Sequence, residues 1–184
     1  MEKILFETYK DYFRVGAAVS GVIFNDDFRV KIEKKIGKKI NCEKDTALLK
    51  KHFNLIVAEN DTKMERIYKA ENDFDFSAAD KFIKFGKENN KDIRWHTLVW
   101  HNQSPKWIFK GEKDSQATKE QLEERTKKYI YTVGERYKDD ICSVDVVNEC
   151  ISDKTFCIRT KEDHSMWREI MCEDYIEKDR KSTR

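Results

Sequence analysis

The chain has 184 residues, a length suited to one domain, and its 37 Lys and Arg nearly balance 35 Asp and Glu for a net charge of +2. Such a balance, with 39% of residues charged, argues against a dedicated nucleic-acid surface, which gathers positive charge on one face. No apolar run reaches the roughly 18 residues of a membrane-spanning helix.

In chain order, residues 13–19 (FRVGAAV) read as a short buried strand. Asn25 or Asp26 then caps a helix in which Phe28, Ile32 and Ile36 recur at every fourth position, with Gly37 as its stop. The lysine-rich residues 34–39 read as a solvated helix end, where positive charge suits the C-terminal dipole. Residues 53–58 (FNLIVA) form a second strand that runs into Glu59 and Asn60. Residues 77–80 (SAAD) resemble a capping box, with Phe82, Ile83 and Phe85 following on one helix face. Residues 93–100, rich in β-branched and aromatic side chains, predict a third strand. Thr118-x-x-Gln121 opens the clearest helix, with Leu122, Tyr129, Ile130, Val133 and Tyr137 at helical spacing. Residues 142–147 (CSVDVV) predict a fourth strand ending at Asn148 and Glu149, and Trp167, Ile170 and Met171 predict one more helix.

Strands alternating with helices imply parallel strands joined by right-handed crossovers. Both an open doubly wound sheet and part of an eight-stranded barrel satisfy this order. The glycine-rich phosphate loops of nucleotide-binding open sheets do not occur. Polar residues gather instead at strand ends, as they do where a barrel builds its active face.

Three groups of residues carry chemical promise. Glu149 ends a strand at the rim of an apolar core, where partial desolvation would raise a carboxyl pKa and suit a general acid. A glutamate so placed also serves to cap the next helix or to face solvent. Glu59, Asn60 and Lys63 offer an acceptor, an amide and an ammonium to a polyhydroxylated ligand; on spacing alone, a surface loop with an ion pair is the favoured reading. His96, Trp100, His101, Gln103 and Trp107 combine flat aromatic faces with polar edges, or else form an aromatic core around a satisfied histidine. Strand alternation puts Arg94, His96, Leu98 and Trp100 on one face. Histidines five apart then face opposite sides, and five cysteines without a C-x-x-C spacing give no zinc pattern, so neither metal nor cofactor is expected.

The segments HFNLIVAENDTKME, FDFSAADKFIKFGKENN, RWHTLVWHNQSPKW and SVDVVNE resemble, in order and spacing, those of glycoside hydrolase family 10. The resemblance runs from about Tyr12 to Tyr175. It implies an α/β fold of the (β/α)8 TIM-barrel class and retaining hydrolysis of β-1,4-xylan by two glutamates. By position, Glu149 matches the acid/base and Asn148 the contact to the sugar 2-hydroxyl. His96 and Lys63 match sugar-binding positions on the non-reducing side of the cleaved bond, and Glu59, Asn60, Trp100 and Gln103 match neighbouring positions there. The implied partner is xylan or a xylo-oligosaccharide, with no nucleic acid and no membrane.

Two departures from the family pattern stand out. Trp95 occupies a position where the family usually has Gly, so a large side chain must be accommodated beside His96. The family's nucleophile lies on its seventh strand, whereas the motifs here are those of the first four β/α units. Residues 1–184 are thus expected to be the N-terminal half of the catalytic domain, with residues 174–178 as its fourth helix and residues 179–184 outside the pattern. An alternative is a half-barrel that binds xylo-oligosaccharides without turnover. Open barrel edges would favour self-association. Secretion is implied by the family alone, because the first ten residues show no signal-peptide core.

Overall fold

The computed structural model describes residues 3–172 and 175–176. Two compact units are present. One comprises the chain up to Thr62, Phe76–His96 and Asp139–Ser143; the other comprises Lys63–Asp75, Thr97–Lys138 and the chain from Val144 onward.

The elements begin with α1 (Leu5–Thr8), β1 (Gly16–Val19), α2 (Gly21–Phe24), α3 (Asp26–Ile36), α4 (Glu43–His52) and β2 (Leu55–Ala58). They continue with α5 (Met64–Ile67), β3 (Tyr68–Ala70), β4 (Asp73–Phe74), α6 (Ser77–Glu88), β5 (Asp92–Trp95) and β6 (Val99–Trp100). Then follow α7 (Lys119–Tyr137), β7 (Ser143–Val144), β8 (Val147–Asn148) and α8 (Met166–Met171).

The first unit is organised by a sheet of order β1-β2-β5-β7. Its pairing is parallel, with Val19 opposite Ala58 and Val57 opposite Arg94. Helices join the successive strands, as parallel pairing requires. Asn25 caps α3 by accepting from the Phe28 backbone N–H, and Gly37 ends it in the left-handed conformation (φ 68°) that glycine adopts without strain. Phe76, not Ser77, occupies the cap position of α6, so SAAD begins inside the helix rather than boxing its end. Val19, Ile56, Phe82 and Ile93 form the core of this unit. A Cβ at Gly86 would lie 2.6 Å from Ile93 Cδ1, so glycine there lets α6 lie close on β5. Trp95 is fully buried, which settles where the unusual side chain goes.

In the second unit, α7 carries the capping box expected of Thr118 and Gln121, and Leu122, Tyr129, Ile130, Val133 and Tyr137 are all buried. Tyr68 stacks on Phe74 at 4.4 Å and meets Trp107 edge-on at 4.7 Å. Trp167, Ile170 and Met171 of α8 are buried, and Trp167 packs edge-on against Phe109. Burying a side chain of this size contributes about 1.5–3 kcal/mol.

The structure corrects two strand expectations. Residues 93–100 are not one strand: β5 belongs to the four-stranded sheet, and β6 pairs in parallel with β8. Alternation therefore fails between them, for Arg94 is exposed while Leu98 is buried. Residues 142–147 divide in the same way into β7 and β8. Of the expected helix at residues 174–178, Tyr175 and Ile176 are helical; its other residues, and residues 179–184, lie outside the described ones.

Candidate active site

The second unit brings together Lys63, Trp100, Asn148 and Glu149. Leu98 and Val99 donate backbone N–H bonds to the carbonyls of Asp145 and Val146, both at 3.0 Å, which fixes the two strands side by side. Their register sets Trp100 opposite Asn148 and carries the chain directly into Glu149.

Glu149 leaves the strand in a left-handed conformation (φ 48°) that costs a non-glycine residue about 1 kcal/mol or more. Trp100 Nε1 donates to Glu149 Oε2 at 2.9 Å, a bond to a carboxylate that fixes one oxygen. The Glu149 side chain remains 50% exposed, more open to water than its place at the rim of an apolar core predicts.

Lys63 precedes α5 and is almost wholly buried, with Nζ 4.4 Å above the Trp100 ring. This geometry suits a cation–π contact. Burial holds the Lys63 ammonium below its usual pKa, and the negative charges of Glu149 and Asp145 oppose that shift. The backbone carbonyl of Gln103 accepts from Glu65 N at 2.9 Å, tying the loop after β6 to α5.

His101 joins this group although its spacing from His96 suggested only an opposite face. Its ring meets Trp100 edge-on at 5.7 Å, and Nε2 lies 3.9 Å from Glu149 Oε2. That distance is too long for a hydrogen bond. Burial, aided by the charge of Arg159, pushes the His101 imidazole below its usual pKa, against the pull of Glu149. His101 is therefore neutral at pH 7, and the pair is not an ion pair there.

Glu59, Asn60 and His96 lie in the first unit. Glu59 and Asn60 follow β2, His96 follows β5, and these are neighbouring parallel strands of one sheet. Glu59 N donates to the Val19 carbonyl at 3.1 Å, and the buried Thr62 hydroxyl donates to the His96 carbonyl. All three thus sit at the C-terminal ends of strands, where α/β folds place their functional groups.

Trp107 does not join the Trp100 group. Its Nε1 donates to the Tyr68 carbonyl at 3.1 Å, and its ring packs under Arg125 within the second unit's aromatic core. Among the described residues no group of His, Cys, Asp and Glu could hold a metal ion.

Arg159 is a neighbour of Glu149 that the sequence motifs do not single out. Its Nε donates to the Glu149 carbonyl at 2.8 Å. The one local signal is the near-repeat Cys150-Ile-Ser and Cys157-Ile-Arg, which brackets a polar turn and reads as a short hairpin.

The family model of glycosyl hydrolase family 10 matches residues 7–184, reaching beyond both ends of the resemblance read from the motifs. An endo-1,4-β-xylanase A of Caldicellulosiruptor saccharolyticus is 37% identical over 94% of this chain and 44% of its own length. A solved family 10 structure from Paenibacillus barcinonensis superposes with a TM-score of 0.82 at 34% identity, over 98% of this chain and 49% of that one. A variant enzyme solved in complex with xylotriose superposes at 0.81 with 38% identity, over 99% of this chain and 49% of that one. The chain thus spans about half the length of these relatives, covering about the first four β/α units of their (β/α)8 barrel. It belongs to glycosyl hydrolase family 10.

Proposed function

We propose that the protein carrying this chain hydrolyses the β-1,4-xylosidic bonds of xylan with retention of configuration, with Glu149 as general acid/base. The observation that carries this reading is the bond from Trp100 Nε1 to Glu149 Oε2, which leaves the other carboxyl oxygen to exchange a proton with a sugar oxygen. In the first step Glu149 protonates the departing glycosidic oxygen; in the second it takes a proton from the attacking water. A second carboxylate must attack the anomeric carbon from a position about 5–5.5 Å from the first.

Asn148, beside Glu149 in the sequence, is assigned to the 2-hydroxyl of the sugar at the cleaved bond. Lys63, Trp100 and Gln103, with Glu59, Asn60 and His96, are assigned to the sugars on its non-reducing side. The names of the relatives support hydrolysis over sugar binding alone, and the xylotriose bound to one of them supports a xylo-oligosaccharide as the bound sugar.

Glu149→Ala should lower xylan hydrolysis by about 10²- to 10⁴-fold. It should largely spare the first step on an aryl xylobioside whose leaving group needs no proton, and added azide should restore turnover. Unchanged xylan hydrolysis in Glu149→Ala would refute the assignment. Tight xylo-oligosaccharide binding with no turnover in the unaltered protein would favour a binding role.

A further inference from the structure

Beyond Glu149, the chain makes a hairpin and returns. Ile151 pairs antiparallel with Ile158, Ser152 N donates to the Cys157 carbonyl, and Arg159 N donates to the Cys150 carbonyl, each at 2.8 Å. The returning strand brings the Arg159 side chain back to the peptide that starts the hairpin. There Nε meets the Glu149 carbonyl at 2.8 Å, while Nη2 meets Asp153 Oδ2 at 3.0 Å. The Arg159 side chain is only 11% exposed, so it is not a freely moving surface group.

The hairpin is itself anchored. Fully buried Ser152 donates to Asp163 at 2.9 Å, and Arg168 Nη1 donates to the Ile158 carbonyl at 3.0 Å. The guanidinium thus reaches Glu149 from a fixed base, and it does so where Glu149 holds an unfavoured backbone conformation. A left-handed residue outside glycine persists only when its surroundings hold it there. The bond to its carbonyl is a charge-assisted one of the kind that can do so. Lysine offers a single point of attachment and cannot reproduce the two-sided grip on the Glu149 carbonyl and Asp153.

We propose that Arg159 is the positioning residue of the acid/base: it clamps the Glu149 peptide and thereby aims the carboxyl group at the glycosidic oxygen. This rests on the reading of Glu149 given above. A residue that aims a proton donor matters in proportion to how much the leaving group needs the proton. A residue that merely stabilises the fold affects all substrates alike.

The test is kcat/KM, which reports the first step, for xylan and for two aryl xylobiosides, one with a poor and one with an activated leaving group, in the protein carrying Arg159→Met, Arg159→Lys or Asp153→Asn. Arg159→Met should lose about 10- to 100-fold on xylan and on the poor leaving group, the scale expected of a small misplacement. It should lose about threefold or less on the activated one. Arg159→Lys should follow the same pattern. Asp153→Asn, which removes the charge on one side of the guanidinium while keeping an acceptor oxygen there, should show it more weakly and keeps the test decisive if the Arg159 variants fail to fold. Equal losses on both aryl substrates, or none, would overturn the proposal. Glu149→Ala is measured in parallel: its dependence on the leaving group must be present for the acid/base assignment to stand. If Glu149→Ala shows that dependence and the Arg159 and Asp153 variants do not, the proposal about Arg159 alone fails.

Discussion

β5 and β6 come from one stretch of sequence, Asp92 to Trp100, and each ends in a tryptophan. Trp95 ends β5 fully buried in the first unit, and Trp100 ends β6 part-exposed in the second, with Lys63 over its ring and Glu149 at its indole nitrogen. The residue type is the same, yet one side chain holds a core together and the other holds a carboxylate. What separates them is the environment each meets: Trp95 is wholly withdrawn from water, whereas Trp100 stays part-exposed and aims its indole N–H at a charged carboxylate. The comparison teaches that aromatic content near a strand end marks neither core nor site until its polar neighbours are known.

The largest expected effect tests the core side of this contrast. Trp95→Ala should destabilise the protein by about 3–5 kcal/mol through the cavity it leaves, read as a lower midpoint in urea or heat. In the fraction that stays folded, the leaving-group dependence of hydrolysis should be unchanged. A Trp95→Ala protein that melts like the parent would break the comparison, because Trp95 would then contribute no packing.

Trp100→Phe tests the other side and should have the next largest effect. It keeps an aromatic face for Lys63 but removes the N–H that holds Glu149. A hydrogen bond to a charged group contributes about 1.5–3 kcal/mol, so kcat on xylan should fall about 10- to 100-fold. The melting midpoint should move little, since the Trp100 carbonyl still accepts from Trp167 Nε1. A large loss of stability with activity intact would place Trp100 with Trp95 as a core residue.

Local hydrogen-bond chemistry made much of the fold legible. Asn25, Gly37, Thr118 and Gln121 satisfy their own backbone neighbours, so their roles are written within a few residues of themselves. The four strand regions were legible from their short apolar and β-branched runs. The break between β5 and β6 was not, because RWHTLVW keeps its apolar and β-branched character across it while hydrogen-bond partners change from β2 to β8. Trp100 and Glu149 could be named from motifs, but their mutual bond depends on the register of β6 with β8. Arg159 was the hardest to see. Its partner is a backbone carbonyl, and what makes that carbonyl reachable is a left-handed φ at a glutamate, which no residue-type pattern announces.

The smallest effect concerns His101, which follows Trp100 and carries the contrast into pH. Burial is the main cause of its depressed pKa; Arg159 and His164 add to it, and Glu149 and Asp153 oppose it. Well above pH 6.5 the imidazole is neutral in both folded and unfolded chains, so it contributes nothing to pH-dependent stability there. As pH falls through about 6.5, the unfolded chain takes up a proton that the folded chain resists, and stability drops until the folded value is reached. His101→Gln should remove this part of the acid sensitivity, so its stability between pH 7 and 5 should fall less steeply than the parent's in urea melts. Parallel curves would mean that His101 gains as much from Glu149 and Asp153 as burial takes away, and that the site side of the contrast reaches no further than Trp100.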